Sequence, residues 1–326
     1  MNPQVHKIDN FNNITAKNYK TIKFADLFAG IGGFHLALKS LNMKCVFACE
    51  IDKFARQTYL KNFNDKFLKD PKLFPDDIYS ANIRKMPDFD LLCAGFPCQP
   101  FSQAGHKRGF KDNQNGNLFF SIEKILKIKK PRAYILENVG HLKNHDNGRT
   151  FKKIYTTLRN LNYSFDYETL KASDYGLPQH RPRIFMIGFY KPLLKTTFQE
   201  IGFTFPRKVK LKNTISDVFG GFCSKDLSGK KERTIGFTLR VGGGRSPIMD
   251  RRNWDGYIIN KKVVRIEPKH GLKMMGFPKT FNFPVSQNQA LKQLGNSVAV
   301  NVVREVGKEV LSHLNNYSIK WFVPHW

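Results

Sequence analysis

The turn Phe28-Ala-Gly-Ile-Gly-Gly33 between an apolar strand and a helix is the feature that most constrains the fold. Thr21 to Ala29 has the pattern of a buried strand, and Phe34 to Leu41 has helical periodicity. A second apolar run, Cys45 to Cys49, ends at the acidic residue Glu50, which is typical of the next strand in a nucleotide-binding fold. The sequence therefore predicts an α/β sheet that binds a ligand at its strand ends.

The alternation of strand and helix patterns continues through the first 190 residues. Predicted strands are Phe89 to Ala94, Ala133 to Leu136 and Arg183 to Phe189, and predicted helices are Leu118 to Lys127 and Thr150 to Leu161. Such alternation predicts a parallel, doubly wound sheet.

Four segments are expected along the chain. A polar tail covers residues 1–20, a catalytic domain residues 21–190, a second module residues 191–275, and a C-terminal segment residues 276–326. In the second module the alternation lapses into Gly-, Lys- and Arg-rich sequence with short strands. The last segment has a strong helical pattern from Gln287 to Leu314, with a Gly-Asn-Ser turn at 295–297, and is expected to return to the first domain.

The charge of the chain points to a polyanionic partner. Lys and Arg number 54 against 26 Asp and Glu, a formal net charge of +28. Residues 190–275 alone carry 19 Lys/Arg and 7 Asp/Glu. Nucleic acid is the first candidate, and an anionic membrane surface is the alternative, although no apolar stretch approaches the roughly 20 residues that span a bilayer.

The N-terminus and the cysteines limit where the protein works. The first 20 residues have no apolar core of a signal peptide, so a cytoplasmic location is expected. Five cysteines without a CxxC pair do not predict a disulfide framework or a metal site.

One cysteine stands in a context unlike the others. Gly95-Phe-Pro-Cys-Gln-Pro-Phe-Ser102 follows a predicted strand, where α/β sheets place their ligand sites. Proline before the cysteine stiffens the turn and favours a thiol held on a loop. Cys98 is therefore the candidate nucleophile.

Four motifs together resemble those of C5-cytosine DNA methyltransferases. They are Pro97-Cys98-Gln99, Glu137-Asn138-Val139, Gln179-His-Arg-Pro-Arg183 and Gly295-Asn-Ser-Val298, and their order and spacing also match from about residue 22 to 305. The resemblance implies a Rossmann-like S-adenosylmethionine (AdoMet) methyltransferase sheet with a smaller, mostly irregular or β target-recognition domain. It also implies methylation of cytosine C5 in a specific double-stranded DNA site, by a monomer that serves a restriction-modification system.

The family chemistry requires a nucleophile and an acid, because cytosine C5 is itself a poor nucleophile. Cys98 would add to C6, while Glu137 would protonate or hydrogen-bond N3. Pro97 and Gln99 would pose the thiol. The resemblance further implies that Arg183 holds the cytosine O2 and that Arg181 helps to orient the site.

The resemblance implies a set of cofactor-binding residues without a metal. Glu50 lies 17 residues beyond Gly33, close to the spacing at which a carboxylate accepts ribose hydroxyls. Ile51 stands where many members have an aromatic that stacks on adenine. Asp77 is expected at the adenine amino group, with Asn82 as the alternative. The full set is Phe28, Gly30, Ile31, Gly32, Gly33, Glu50, Ile51, Asp77, Ile78, Gly95, Pro97, Leu118, Asn296, Ser297 and Val298.

DNA-binding residues are expected in two places, the loop after Cys98 and the basic module. Thr238-Leu239 resembles the Thr-Leu pair of target-recognition domains, and arginines surround it. Arg265-Ile-Glu-Pro268 resembles a motif that packs this module, although His270 stands where an acidic residue is common. The expected DNA contacts are Ser102, Lys107, Arg108, Arg233, Thr238, Arg240, Gly243, Arg245, Arg251 and Arg252.

Three other functions compete with this interpretation. The glycine turn alone also suits a dehydrogenase, but that function leaves Pro97-Cys98-Gln99 unexplained. A tRNA cytosine-C5 methyltransferase would share the catalytic motifs. A catalytically idle DNA-binding protein would not need Cys98, Glu137 and Arg183 together.

Overall fold

The structure is a computed structural model that describes residues 21–97, 118–191, 203–241 and 244–319. Six of the predicted site residues lie outside these ranges, namely Cys98, Gln99, Ser102, Lys107, Arg108 and Gly243. All other predicted site residues are described.

A mixed six-stranded sheet forms the centre of the larger part of the fold. Its strands lie in the order β2-β1-β3-β4-β6-β5, and β1 to β4 pair in parallel. The strands are β1 (Lys23–Leu27), β2 (Lys44–Cys49), β3 (Leu91–Gly95), β4 (Ala133–Val139), β5 (Asp166–Lys171) and β6 (Pro182–Phe189). This is the predicted α/β class with a mostly parallel sheet.

The direction of β6 differs from the expectation of a parallel sheet. β6 pairs antiparallel with both β4 and the edge strand β5, so Arg183, near its start, lies opposite Val139 at the end of β4. Ten residues join β5 to β6, too few for the helical crossover that a parallel pair needs. β5 itself was not predicted, because an exposed edge strand with sequence DYETLK has little apolar signal.

Apolar side chains on both faces of the sheet are buried under helices. Along β4, Ala133 and Ile135 join one apolar cluster, and Tyr134 and Leu136 join the other. This alternation with a period of two is expected for a strand covered on both faces. The helices of this part are α1 (Gly33–Lys39), α2 (Lys53–Asn62), α3 (Leu118–Lys129) and α4 (Arg149–Asn160).

A smaller unit follows residue 203. It contains a three-stranded antiparallel sheet, in the order β7-β8-β9, and two helices. The elements are α5 (Ile215–Phe219), β7 (Cys223–Ser224), β8 (Gly256–Ile259), β9 (Lys262–Arg265) and α6 (Pro268–Met275). The exact domain boundaries at residues 20, 190 and 275 remain a prediction.

Two helices return the chain to the large sheet. α7 (Gln287–Asn296) ends where Ser297 adopts an extended backbone, and α8 (Val300–Ile319) follows and packs on α1. The predicted helical segment is therefore broken at the Gly-Asn-Ser turn. Within the described residues, no helix is long and apolar enough to span a membrane.

Candidate active site

The carboxyl ends of β1, β3 and β4 meet the start of β6 at one edge of the large sheet. A cavity of about 490 Å³ opens there. Its lining includes the predicted residues Phe28, Gly30, Ile31, Glu50, Ile51, Gly95, Pro97, Leu118, Glu137, Arg181, Arg183 and Asn296. The topology thus brings together residues that are spread over 269 positions of the chain.

The glycine turn and Glu50 form one side of this cavity. The Glu50 carboxylate accepts hydrogen bonds from the backbone N–H of Gly30 (2.7 Å) and of Asp52 (2.7 Å). Burial raises the pKa of Glu50, although these bonds favour its ionised form. Phe28 has a positive φ of 56°, which is uncommon outside glycine and is typical of functional turns.

Two predicted glycines allow the backbone of the turn to take its observed path. Gly32 has φ +85°, and a Cβ at Gly33 would lie 2.6 Å from Val298 Cγ2 and 2.8 Å from Ser297 Oγ. The turn therefore packs directly against the segment that joins α7 to α8. Ser297 and Val298 are buried supports of the cavity and not part of its lining.

Glu137 is the buried acid of the site. Only 7% of the residue is exposed, and Arg183 Nε lies 3.3 Å from Glu137 Oε1. Burial raises the pKa of Glu137, and the charges of Arg183 and Arg181 oppose that rise. A carboxyl group with a raised pKa is suited to share or give a proton to a ring nitrogen.

Arg181 is a buried connector between three segments. Its side chain donates to the carbonyls of Leu239 (3.2 Å), Gly295 (2.9 Å) and Ser297, and its backbone N–H donates to Thr238 Oγ1. Burial lowers the pKa of Arg181 to about 9, so it stays charged at neutral pH. Since its terminal nitrogens bind main-chain carbonyls, Arg181 positions the site, whereas Arg183 faces Glu137.

The start of the Cys98 loop is fixed beside Glu137. Gly95 pairs with Glu137 across β3 and β4, and Asn138 Nδ2 donates to the Phe96 carbonyl at 2.8 Å. Pro97 then lines the cavity. The other four cysteines, Cys45, Cys49, Cys93 and Cys223, are buried free thiols, and burial raises the pKa of each of them.

Besides Gly32, Gly33, Ser297 and Val298, two more predicted cofactor residues, Asp77 and Ile78, do not line the cavity. Asp77 accepts the Tyr79 N–H within its own turn, and Ile78 is buried in the apolar core. The alternative, Asn82, caps a short helical turn through a bond from Lys85 N–H. Ile51 does line the cavity and is 73% exposed, so an apolar group is available at the position where many family members have an aromatic.

The predicted DNA-reading residues are divided between a cleft and the open surface. Thr238 and Arg240 line a second cavity of about 690 Å³, which shares Arg183 and Asn296 with the first. The other arginines are not in its lining: the Arg233 guanidinium stacks over Phe237 at 4.3 Å, Arg252 pairs with Asp250 at 2.8 Å, and Arg245 and Arg251 are exposed.

His270 packs the smaller unit in place of the expected acid. Its Nδ1 accepts the Glu267 N–H at 3.0 Å, which caps α6, and its ring stacks on Phe219 at 4.3 Å. Arg265 bonds Asp255 at 2.9 Å, and Ile266 is buried. The motif therefore packs the module despite the substitution.

Several lining residues were missed from the sequence. Lys292 and Gln293 line the first cavity, and they could have been found because they lie three and two residues before Gly295. His141, Asn144 and Thr169 line the second cavity, and nothing in their local sequence marks them. No cluster of three potential metal ligands occurs among the residues the structure describes.

The chain matches the model of a known protein family over most of its length. The model described as C-5 cytosine-specific DNA methylase matches residues 22–241 and 229–312. The chain belongs to that family. It is a DNA (cytosine-5-)-methyltransferase, and the tRNA alternative is not favoured.

Relatives and a solved structure agree with the methyltransferase assignment. Type II methyltransferase M.HhaI of Haemophilus parahaemolyticus is 36% identical over 93% of this chain and 98% of its own length. Type II methyltransferase M1.ScrFI of Lactococcus lactis subsp. cremoris is 40% identical over 91% and 80%. The crystal structure of S. pombe Dnmt2 methyltransferase matches with a TM-score of 0.66, at 20% identity, over 90% of this chain and 99% of that one, which supports the fold.

Proposed function

We propose that this methyltransferase works through Cys98 as nucleophile and Glu137 as acid on a cytosine turned out of duplex DNA. The observation that carries the proposal is the junction of β3 with β4. Gly95 lies opposite Glu137, and Asn138 holds the Phe96 carbonyl, and in the sequence Cys98 comes three residues after the position that pairs with the buried acid. A nucleophile and an acid can then reach the same pyrimidine ring.

The residues divide the chemistry between them. The Cys98 thiolate adds to cytosine C6 while Glu137 gives its proton to N3, so the ring electrons move toward C5. Arg183, next to Glu137, binds the O2 carbonyl oxygen. After methylation at C5, a base removes the C5 proton, the C6–S bond breaks to release the thiolate, and the N3 proton returns to Glu137, which restores the aromatic ring.

The first cavity fits S-adenosylmethionine, the methyl donor that this family uses. Its volume of about 490 Å³ lies within the range of cofactor sites. A Cβ at Gly30 would meet no atom within 4 Å, so the turn leaves open space beside Glu50. Glu50 would bind the ribose hydroxyls, Phe28 and Ile51 the adenine, and Asn296 the methionine part. When bound, the cofactor supplies an electrophilic methyl group.

Double-stranded DNA as substrate implies that the base leaves the helix, because the acid Glu137 is buried at the sheet edge, where a stacked base cannot reach it. Extruding a base costs a few kcal/mol. The net charge of +28 and the arginines of residues 203–265 supply phosphate attraction. Thr238 and Arg240 border the cleft, and we assign the other predicted arginines to longer-range contacts with DNA.

We further propose a role in a bacterial restriction-modification system. Support comes from relatives named as Type II methyltransferases, with 36% and 40% identity over most of the chain. The enzyme would act in the cytoplasm, at the nucleoid, as a monomer. A cognate endonuclease would recognise the same DNA sequence without binding to the methyltransferase.

One experiment tests the nucleophile and the substrate together. The protein is incubated with labelled AdoMet and either duplex DNA or tRNA, and the product is mapped by bisulfite sequencing. We expect label in DNA, loss of transfer in Cys98→Ala with cofactor binding retained, and near-normal transfer in the control Cys223→Ala. Label in tRNA alone would refute the substrate, and methylation by Cys98→Ala would refute the nucleophile.

A further inference from the structure

The second cavity has two walls that come from different parts of the chain. On one side lie Thr238, Arg240 and Val241 of the smaller unit. On the other lie His141 and Asn144, from the turn segment Gly140–Gly148, with Thr169 of β5 beside them. Only the first wall was expected to contact DNA.

The two cavities are adjacent. Arg183, Gly295 and Asn296 line both of them, so the outer cavity borders the inner one that contains Glu137. A nucleotide whose base enters the inner cavity keeps its sugar and phosphates within a few bonds of that base, and the outer cavity is the adjacent space lined by hydrogen-bond donors. The outer cavity is therefore on the path of the DNA backbone.

The segment that carries His141 and Asn144 is anchored by a buried side chain, a hydrogen bond and an ion pair. Leu142, between them, is fully buried, His145 Nδ1 and Thr150 Oγ1 are 2.8 Å apart, and Asp146 pairs with Arg149. His141 and Asn144 are exposed. An imidazole N–H and an amide N–H are donors that suit phosphate oxygens.

We propose that His141 and Asn144 bind the phosphates flanking the extruded cytosine, opposite Arg240. This inference rests on the proposed function, since it assumes that the base occupies the inner cavity. The pair contributes hydrogen bonds that form only when the nucleotide has left the helix, and so it stabilises the flipped state rather than general DNA binding.

Lys143 supplies a matched control. It lies between the two residues in sequence and carries a full charge, but it is not part of the cavity lining, and its Nζ lies 5.0 Å from the Tyr167 ring centroid. If surface charge alone attracted DNA here, Lys143→Ala would weaken catalysis more than removal of the neutral Asn144. The proposal requires the opposite order.

The test is a thermodynamic cycle between protein and DNA. Once bisulfite mapping has given the target sequence, duplexes are made with a neutral methylphosphonate on either side of the target cytosine. We expect H141A/N144A to lower kcat/KM by about 10- to 100-fold on normal DNA, as expected for hydrogen bonds to charged groups. On one of the methylphosphonate duplexes the same variant should cause less than about a threefold loss.

The outcomes separate the two claims. Equal losses of kcat/KM by H141A/N144A on normal and neutral duplexes would overturn the phosphate contact. So would a loss in Lys143→Ala that is larger than the loss on removal of Asn144. AdoMet affinity and the unfolding midpoint are measured for each variant, and both should match the wild type. Failure of the wild-type enzyme to methylate duplex DNA would refute the proposed function itself, before the cycle is reached.

Discussion

Replacing Arg181 by lysine should destabilise the protein far more than replacing Arg183, although the two arginines are separated by one residue. Two terminal nitrogens of Arg181 serve the buried carbonyls of Leu239, Gly295 and Ser297. Lysine keeps the charge but has a single nitrogen, so one or two carbonyls lose their donor. Each unsatisfied buried group costs about 1–3 kcal/mol, which gives a total of about 1–6 kcal/mol.

Arg183→Lys is the matched control for this substitution. Arg183 donates to the carbonyl of its own neighbour Pro182 and pairs with Glu137 on the adjacent strand β4. Since the ammonium group of lysine can still pair with Glu137, we expect Arg183→Lys to lose less stability than Arg181→Lys. Its kcat should nevertheless fall by about 100-fold, because a fork-shaped donor at the base is lost.

Urea unfolding followed by tryptophan fluorescence measures both variants. A loss of about 3 kcal/mol, with an m-value near 3 kcal/mol per molar urea, lowers the midpoint by about 1 M for Arg181→Lys. Equal midpoints for the two variants would refute the division of roles. So would an Arg181→Lys enzyme that is fully stable and merely inactive.

Two further predictions concern the cofactor cavity. Glu50→Gln should weaken AdoMet binding about 10- to 100-fold by calorimetry, since a charged acceptor is lost. Because burial raises the pKa of Glu50, wild-type affinity should fall as the pH drops through that raised pKa, while the variant stays flat; the same pH profile for both would exclude Glu50 as the ribose acceptor. Gly33→Ala should cost about 1–3 kcal/mol in thermal unfolding, because its Cβ would lie 2.6 Å from Val298 Cγ2. An unchanged melting temperature would show that Val298 moves aside freely.

Strands with long apolar runs could be located from the sequence. β1, β3 and β4 lie where they were predicted, within two or three residues, because strands covered on both faces are continuously apolar. Such a pattern has no direction, which is why the reversal of β6 was not predicted. The edge strand β5 was missed since its exposed side chains give no apolar period.

The candidate site was predictable where chemistry requires particular residue types. Glu50, Glu137 and Arg183 meet at one cavity as motif and strand position indicated. Asp77 was assigned to the cofactor because the sequence around it matches a family pattern in part. In the structure, its carboxylate accepts the Tyr79 N–H within its own turn. The place of His141 and Asn144 in the second cavity could not be predicted, because it depends on where the 140–148 segment lies against residues almost 100 positions away.

The contacts of Arg181 bear on how such an enzyme acquires a new target sequence. Its side chain bonds to the main-chain oxygens of Leu239 in the smaller unit and of Gly295 and Ser297 at the end of α7, and every amino acid carries that oxygen. Side chains of the smaller unit can therefore be exchanged without breaking the hydrogen bonds of Arg181, provided that the backbone at Leu239 keeps its path. Chimaeras that exchange residues 203–237 and 240–265 while keeping Thr238 and Leu239 should retain a working catalytic centre and change only the DNA they select.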